Sequence, residues 1–370
     1  MVEAVAMRTT GLGGDSEVHV VEGLDGGLRL GPRRLMPISL AAHQYPDLVH
    51  AALDRALTQD IPASDGGQFV IPLWSEIPAG LDAREKVVAD RLQSGPLRLG
   101  HAVQSRMENP ALGRLIGRGL VIMAGVTPSD ASHMLGLVNA WDKEAAEKAL
   151  ILFARRRTGA GTRLAESGQA LARQIIDQLT AQTVDCLLQA GFAEDDLDWP
   201  DPAALAQHPL TKAGLDRHKG VIQVQMSLGV PVIGLGASAP TYYGAVGERL
   251  GTRMVLPEHS GVANAIGDLV GQVRMQATGT VTSAGEGSFA VHLPEGPKTF
   301  ANRDEALGVL EAALRSEAEG LVRASGVEEI RFSVARDISE ITVESRAMFI
   351  EATLRVEASG RPRIAHGAPD

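Results

Sequence analysis

Two glycine-bearing stretches carry the side chains whose types and spacing are suited to chemistry. Gly11-Leu12-Gly13-Gly14-Asp15-Ser16 is the first. Its glycines permit positive φ, and its consecutive N–H groups can form a nest for an anion. There Asp15 can hold a metal-bound water and Ser16 can bond a phosphate oxygen. The plainer alternative is a tight turn between two strands, because no helix follows and the spacing is not that of a Walker loop. The second stretch is Gly234-Leu235-Gly236-Ala237-Ser238-Ala239-Pro240, a run without large polar side chains where a nucleotide can approach bare backbone.

The remaining chemistry-bearing residues are less organised. Ten histidines are scattered with no HxH or HxxxH pair. His133 reads as a core or capped histidine. His259, beside Glu258, borders the second glycine stretch and otherwise reads as a turn residue. Tyr242 and Tyr243 can offer a ring to a base, although one of them must face the helix core. Cys186, the single cysteine, has apolar neighbours and is a poor nucleophile. No Ser–His–Asp or Cys–His arrangement emerges.

The second glycine stretch belongs to a longer unit from Val230 to Arg274, which reads strand, turn, helix, strand, turn, helix. Pro231 to Leu235 is expected to be a buried strand. Ser238 or Ala239 opens a helix that tolerates Pro240 in its first turn, and Gly251 is its αL cap. Thr252 to Leu256 returns as a strand, and Ser260 caps the last helix. That helix carries Val262, Ile266, Leu269, Val270 and Val273 on one face and Ala263, Gly267 and Gly271 as a stripe of small residues.

Around this unit the chain of 370 residues is long enough for two or three domains. A hydrophobic content of 44% supports globular cores, and 4% aromatics leaves them to Leu, Val, Ile, Ala and Met. The formal charge of −10 argues against nucleic acid or an anionic membrane as main partner. A lone cysteine excludes a disulfide framework and, with no secretory leader or membrane-spanning apolar run, predicts a cytoplasmic protein.

In chain order, Val2 to Met7 is expected to be a strand whose abrupt start leaves an edge for a preceding segment or a partner. Glu17–Val21 and Leu28–Leu30 form a hairpin around Leu24-Asp25-Gly26-Gly27. A helix is expected over Ala41–Leu57 with Leu48, Ala51, Leu53 and Leu57 in the core, then a strand over Gln68–Trp74. Helices follow over Ala83–Leu92 and Ala111–Gly119, and a strand over Leu120–Ala124. Thr127, Pro128 and Asp130 spell the start of a helix with a capping box. Ala140–Ala190 is helical with a break at Thr158–Gly161. Asp195–His218 reads as a linker or surface excursion, and Val221–Met226 as a strand. Beyond Arg274, alternating strands at Thr278–Thr282 and Ser288–Leu293 precede an amphipathic helix over Arg303–Ser325. Two further strands, Glu328–Val334 and Ala347–Val356, lead to a frayed tail from Ala358 to Asp370.

Several of these segments together resemble the hydantoinase/oxoprolinase family of the actin-like ATPase superfamily. They are Met7–Ser16, Leu30–Arg34, Gly125–Ala131 and Leu256–Gly267, in the family's order and spanning most of the chain. The stretch Val232 to Val273 is similar to the adenosine-side half of that ATPase domain. The resemblance implies an α/β fold, an actin-like (ribonuclease H-like) lobe with a helical insertion and a C-terminal α+β domain. The corresponding segments are 1–73 and 220–276 for the ATPase-like core, 74–219 for the helical region and 277–370 for the C-terminal domain. It also implies ATP-dependent opening of a cyclic amide such as hydantoin or 5-oxoproline. The amide oxygen is phosphorylated, water attacks the activated carbon, and Mg²⁺ neutralises the phosphates. By position, Gly234, Gly236, Ala237 and Ser238 would border adenine and ribose, and Gly13, Gly14, Asp15 and Ser16 would lie near the cleft.

The chain departs from the family in one respect. Members carry two phosphate loops of the D-x-G-G-T type, and neither is found here. Asp25-Gly26-Gly27-Leu28 and Asp65-Gly66-Gly67-Gln68 lack the intervening residue and the threonine. The chain thus resembles the C-terminal half of a member, and ATP and Mg²⁺ are not expected to bind it tightly alone. Its expected partner is the upstream half or a complementary subunit, in a hetero- or homo-oligomer. The other reading is a non-catalytic assembly or ligand-sensing module; an intact sugar or acid kinase is disfavoured by the same departure.

Overall fold

In a computed structural model, described for residues 7–21, 23, 26–59, 66–195, 197–270, 273–285, 287–293, 296–343 and 346–361, the chain is mixed α/β. It divides into two compact units, residues 1–261 and 262–370. The segments 1–73 and 74–219 both lie in the first.

The first unit opens with a hairpin of β1 (Ser16–Val20) and β2 (Leu28–Arg34), paired antiparallel with Val18 opposite Leu30. Strand β3 (Met36–Pro37) feeds directly into α1 (Ile38–Gln44) and α2 (Pro46–Leu57). A single helix was expected over Ala41–Leu57. Pro46 breaks it, since the residue before a proline is pushed out of the helical region, and Tyr45 sits at φ −135° and ψ 61°. The break also rotates the buried face: Val49, Ala52, Leu53 and Ala56 are inside, and Ala51 is exposed.

Strand β4 (Phe69–Pro72) is followed by α3 (Ala83–Arg91), β5 (Leu97–Arg98), α4 (Leu99–Ala102), α5 (Asn109–Gly117) and β6 (Val121–Gly125). The sheet order is β3-β6-β4-β5, with β3 parallel to β6 and the other pairs antiparallel. From β6 the chain enters α6 (Pro128–Met134) through the expected capping box of Thr127 and Asp130. The long helical region is α7 (Lys143–Ala154) and α8 (Gly168–Glu194). Leu171, Ile175, Leu179, Val184 and Leu188 line the buried stripe of α8, close to the predicted spacing.

Three expectations fail beyond α8. Asp195–His218 is not a bare linker but carries α9 (Pro202–Gln207) and α10 (Pro209–Leu215). Each begins with a capping side chain, Asp201 or His208, before a proline at the first helical position. Val221–Met226 forms no strand; only an isolated bridge joins Lys219 to Gln223, and Val221 and Ile222 are exposed. An alternating pattern makes a strand only where a neighbour accepts its hydrogen bonds. Finally, β7 (Val232–Ile233) is two residues long and is not buried: Ile233 is 63% exposed. It pairs parallel with β8 (Met254–Val255), across α11 (Ala239–Leu250), which Gly251 caps in the left-handed region as expected.

The second unit begins with α12 (Ala263–Val270) and continues with β9 (Val273–Gly285), β10 (Ser288–Leu293), β11 (Gly296–Phe300), α13 (Arg303–Ala324), β12 (Arg331–Val343) and β13 (Arg346–Gly360). All five strands form one antiparallel sheet in the order β11-β10-β9-β13-β12. Ala352, Leu354, Val356 and Ala358 alternate into a core with Leu310, Leu314 and Val322 of α13. The expected fraying from Ala358 is corrected at its start, because Ala358 to Gly360 pair with Met275 to Val273. Residues 362–370, the predicted strand over 2–6, Asp25, Asp65 and Gly271, and the side chains of Leu269 and Val270, lie outside the described residues. Among the described residues, no helix is long and apolar enough to cross a membrane.

Candidate functional site

Gly14 of the first glycine stretch and Tyr242 of α11 both meet side chains of α6. Thr127, the N-cap, precedes Pro128, and the side chain of Asp130 turns back into the cap. Asp130 is fully buried. Its carboxylate accepts the N–H groups of Ile38 (3.1 Å), Ser39 (2.8 Å) and Thr127 (3.0 Å). It also accepts the hydroxyls of Ser39 (2.8 Å) and Thr127 (3.0 Å). Burial raises its pKa, and the donated bonds offset part of that rise. One carboxylate thereby ties the start of α1 to the start of α6.

The next turn of α6 reaches the first glycine loop. Ser129 donates its N–H and its hydroxyl to the carbonyl of Gly14, both at 2.8 Å. Ser132 donates to the hydroxyl of Tyr242 at 3.0 Å. Tyr242 is buried, and that burial raises the pKa of its phenol. A Cβ on Gly14 would stand 3.0 Å from the Ser129 hydroxyl oxygen and 3.4 Å from the Tyr242 hydroxyl. Tyr242 lies one turn into α11, the helix that Ser238 opens. The two glycine stretches therefore flank one polar bridge of Ser129, Ser132 and Tyr242.

The groups expected to meet a ligand are differently disposed. Ser16 is buried, and its hydroxyl oxygen accepts the Gly13 N–H at 2.8 Å. Asp15 pairs with Arg34, Nε to Oδ2 at 2.5 Å. Ser16 is thus engaged inside the loop, and Asp15 in an ion pair at the surface. Gly31 packs so closely on Gly11 that a Cβ would come within 2.1 Å of the Gly11 carbonyl oxygen. Gly234 donates its N–H to Val255, and a Cβ there would strike the Tyr243 ring at 2.5 Å. Gly236, at φ +111°, faces open space, but its N–H is taken by the Ser260 carbonyl at 2.7 Å. Ala237 and Ser238 follow at the head of α11. In both stretches several groups that could meet phosphate already have protein partners. Among the described residues, no group of three His, Cys, Asp or Glu side chains is placed to hold a metal ion.

No protein-family model, curated protein or solved structure matches the chain. The site rests on geometry alone.

His133 is a satisfied core residue. Its Nδ1 bonds the Ser129 carbonyl at 2.8 Å, Nε2 accepts the Trp141 N–H at 3.1 Å, and its ring stacks on Trp141. His259 is exposed beside the turn that receives Gly236. Cys186 is half-buried on α8. Ser129 and Ser132 were missed as bridge residues because their sequence context reads as helix capping. Their spacing of three, which puts both on one face of α6, was the available signal.

Proposed function

We propose that this chain is the adenosine-side portion of a hydantoinase/oxoprolinase-like subunit, an actin-like ATPase lobe that contributes to ATP-dependent hydrolysis of a cyclic amide. A complementary half or subunit would supply the phosphate loops. The observation carrying this reading is the convergence of separate resemblance segments. The loop at Gly11–Ser16, the turn at Gly31–Arg34 and the Gly125–Ala131 segment interlock through Gly31 on Gly11, Arg34 on Asp15 and Ser129 on Gly14. Tyr242 joins them to the head of α11. In this reading, residues brought together from such distant positions would form one wall of the site.

A second observation supports a missing complement. Parallel strands are ordinarily covered on both faces, whereas the β7–β8 pair leaves Ile233 and Leu235 more than half exposed. ATP, when bound, would supply a phosphoryl group that makes the amide oxygen a leaving group. In this reading the chain's own part is to hold the adenosine side with Gly236, Ala237 and Ser238 and to fix the cleft wall through Gly14, Ser129 and Tyr242.

The alternative, a non-catalytic assembly or ligand-sensing module, is favoured by the engagement of Asp15 and Ser16 with protein partners. Calorimetry with Mg-ATP separates the two. The enzyme-portion reading expects millimolar affinity for the chain alone and cyclic-amide-dependent turnover once a half bearing D-x-G-G-T loops is added. Failure of any such complement to restore turnover favours the module. Tight binding and hydrolysis by this chain alone would sink the split-site reading.

A further inference from the structure

A cleft of about 410 Å³ opens in the first unit, on the opposite face of β1 from the buried Ser16 and Val18. That volume lies within the range of about 300–1,000 Å³ usual for small-molecule sites. Its floor is apolar, with Leu112 of α5 and Met123 of β6, both buried. Four polar side chains converge on it: Glu17 of β1, Arg33 of β2, Gln68 ahead of β4 and Asn109 at the start of α5.

These polar groups are left with unused capacity. The Oε2 atom of Glu17 is buried and accepts no hydrogen bond. Arg33 Nε and His19 Nε2 approach it at 3.3 Å and 3.5 Å as ion-pair contacts. Glu17 thus sets a carboxylate, ion-paired to Arg33 and His19, at the wall of the cleft beside the half-exposed guanidinium. Arg33 turns Nε toward Glu17, and its half-exposed side chain leaves the terminal nitrogens for a planar anion. The Gln68 and Asn109 amides make no side-chain hydrogen bond among the described residues.

We propose that this cleft binds a small aliphatic α-amino acid. Its ammonium would sit at Glu17, its carboxylate at Arg33 and its side chain on Leu112 and Met123. Adjacent opposite charges on the protein match the adjacent opposite charges of a zwitterion, and an apolar floor beside them selects an aliphatic body. The proposal does not depend on the nucleotide reading, because the pocket uses none of the glycine-stretch residues assigned to that site.

Calorimetric titration with L-leucine tests it, with 4-methylpentanoate and 3-methylbutylamine as probes lacking the ammonium and the carboxylate. Leucine is expected to bind, and each analogue to bind weaker by on the order of tenfold or more. E17Q and R33Q are expected to weaken leucine by a similar factor. A Cβ on Gly113, which lines the cleft, would meet no atom within 4 Å. Gly113→Leu should therefore fill the space and abolish binding while leaving the melting temperature near that of the parent. No leucine binding to the parent chain, equal binding of all three probes, or unchanged binding in a folded Gly113→Leu variant would each overturn the proposal.

Discussion

Asp130 accepts five hydrogen bonds and has no cation among its hydrogen-bond partners, so its neighbours depend on it more than a salt-bridged residue's would. Asp130→Ala would orphan three backbone N–H groups and two hydroxyls inside the core. At about 1–3 kcal/mol for a buried group left without a partner, partial relaxation still leaves an expected loss of about 3 kcal/mol or more. Urea denaturation measures it, and a loss below about 1 kcal/mol would mean that water reaches the site. Gly31 poses a steric question instead. It sits at φ +67° with the Gly11 carbonyl oxygen 2.1 Å from where a Cβ would be. Gly31→Ala is expected to cost at least about 2 kcal/mol, combining left-handed backbone strain with displacement of the Gly11 loop. A neutral result in the same denaturation experiment would show that the loop yields freely.

Between elements, one titrating link is the clamp between α3 and the turn before α5. Arg91 makes a two-pronged contact with Glu108, at 2.6 Å and 2.9 Å, and also bonds the Ala102 carbonyl. Arg91's hydrogen bonds, with the Gln104 N–H, hold the Glu108 carboxyl down at about 2, and Arg91 is correspondingly raised. For a carboxylate with a depressed folded pKa, the stabilisation is complete above its ordinary value of 4.5 and is lost as pH falls toward 2. E108Q should therefore lower the melting temperature at pH 7, and the difference from the parent should shrink as the pH falls from 4.5 toward 2. A pH-independent difference would assign the effect to packing. The split of the expected helix at Tyr45 also belongs to this scale. Its cause, Pro46, was visible in the sequence and was outweighed there by apolar periodicity on both sides.

Over the whole chain, each unit has its own buried core, and α13 with the sheet from β9 to β13 closes the second without residues of the first. Residues 262–370 expressed alone are expected to unfold cooperatively, with a circular dichroism spectrum of mixed helix and antiparallel sheet. A non-cooperative melt would show that the second core needs the first unit. Local signals were enough for most elements. Capping residues, proline at helix starts and the Gly251 cap fix helix ends through nearby backbone groups, so the Thr127 start and the Gly251 end could be read directly. Strand existence was less legible, because a strand depends on a partner elsewhere in the chain. Val221–Met226 has the pattern without the partner, and β11 acquires a partner from β10 despite a weak pattern. The sequence by itself determined the mixed α/β class, most helices and the two glycine stretches as places of bare backbone. Only the tertiary structure decided that Ser16 and Asp15 already have protein partners, that Ser129 and Tyr242 bridge the two stretches, and that Glu17 and Arg33 meet above an apolar floor. The bridge depends on contacts between residues 110 and 115 positions apart, and no local pattern encodes such a meeting.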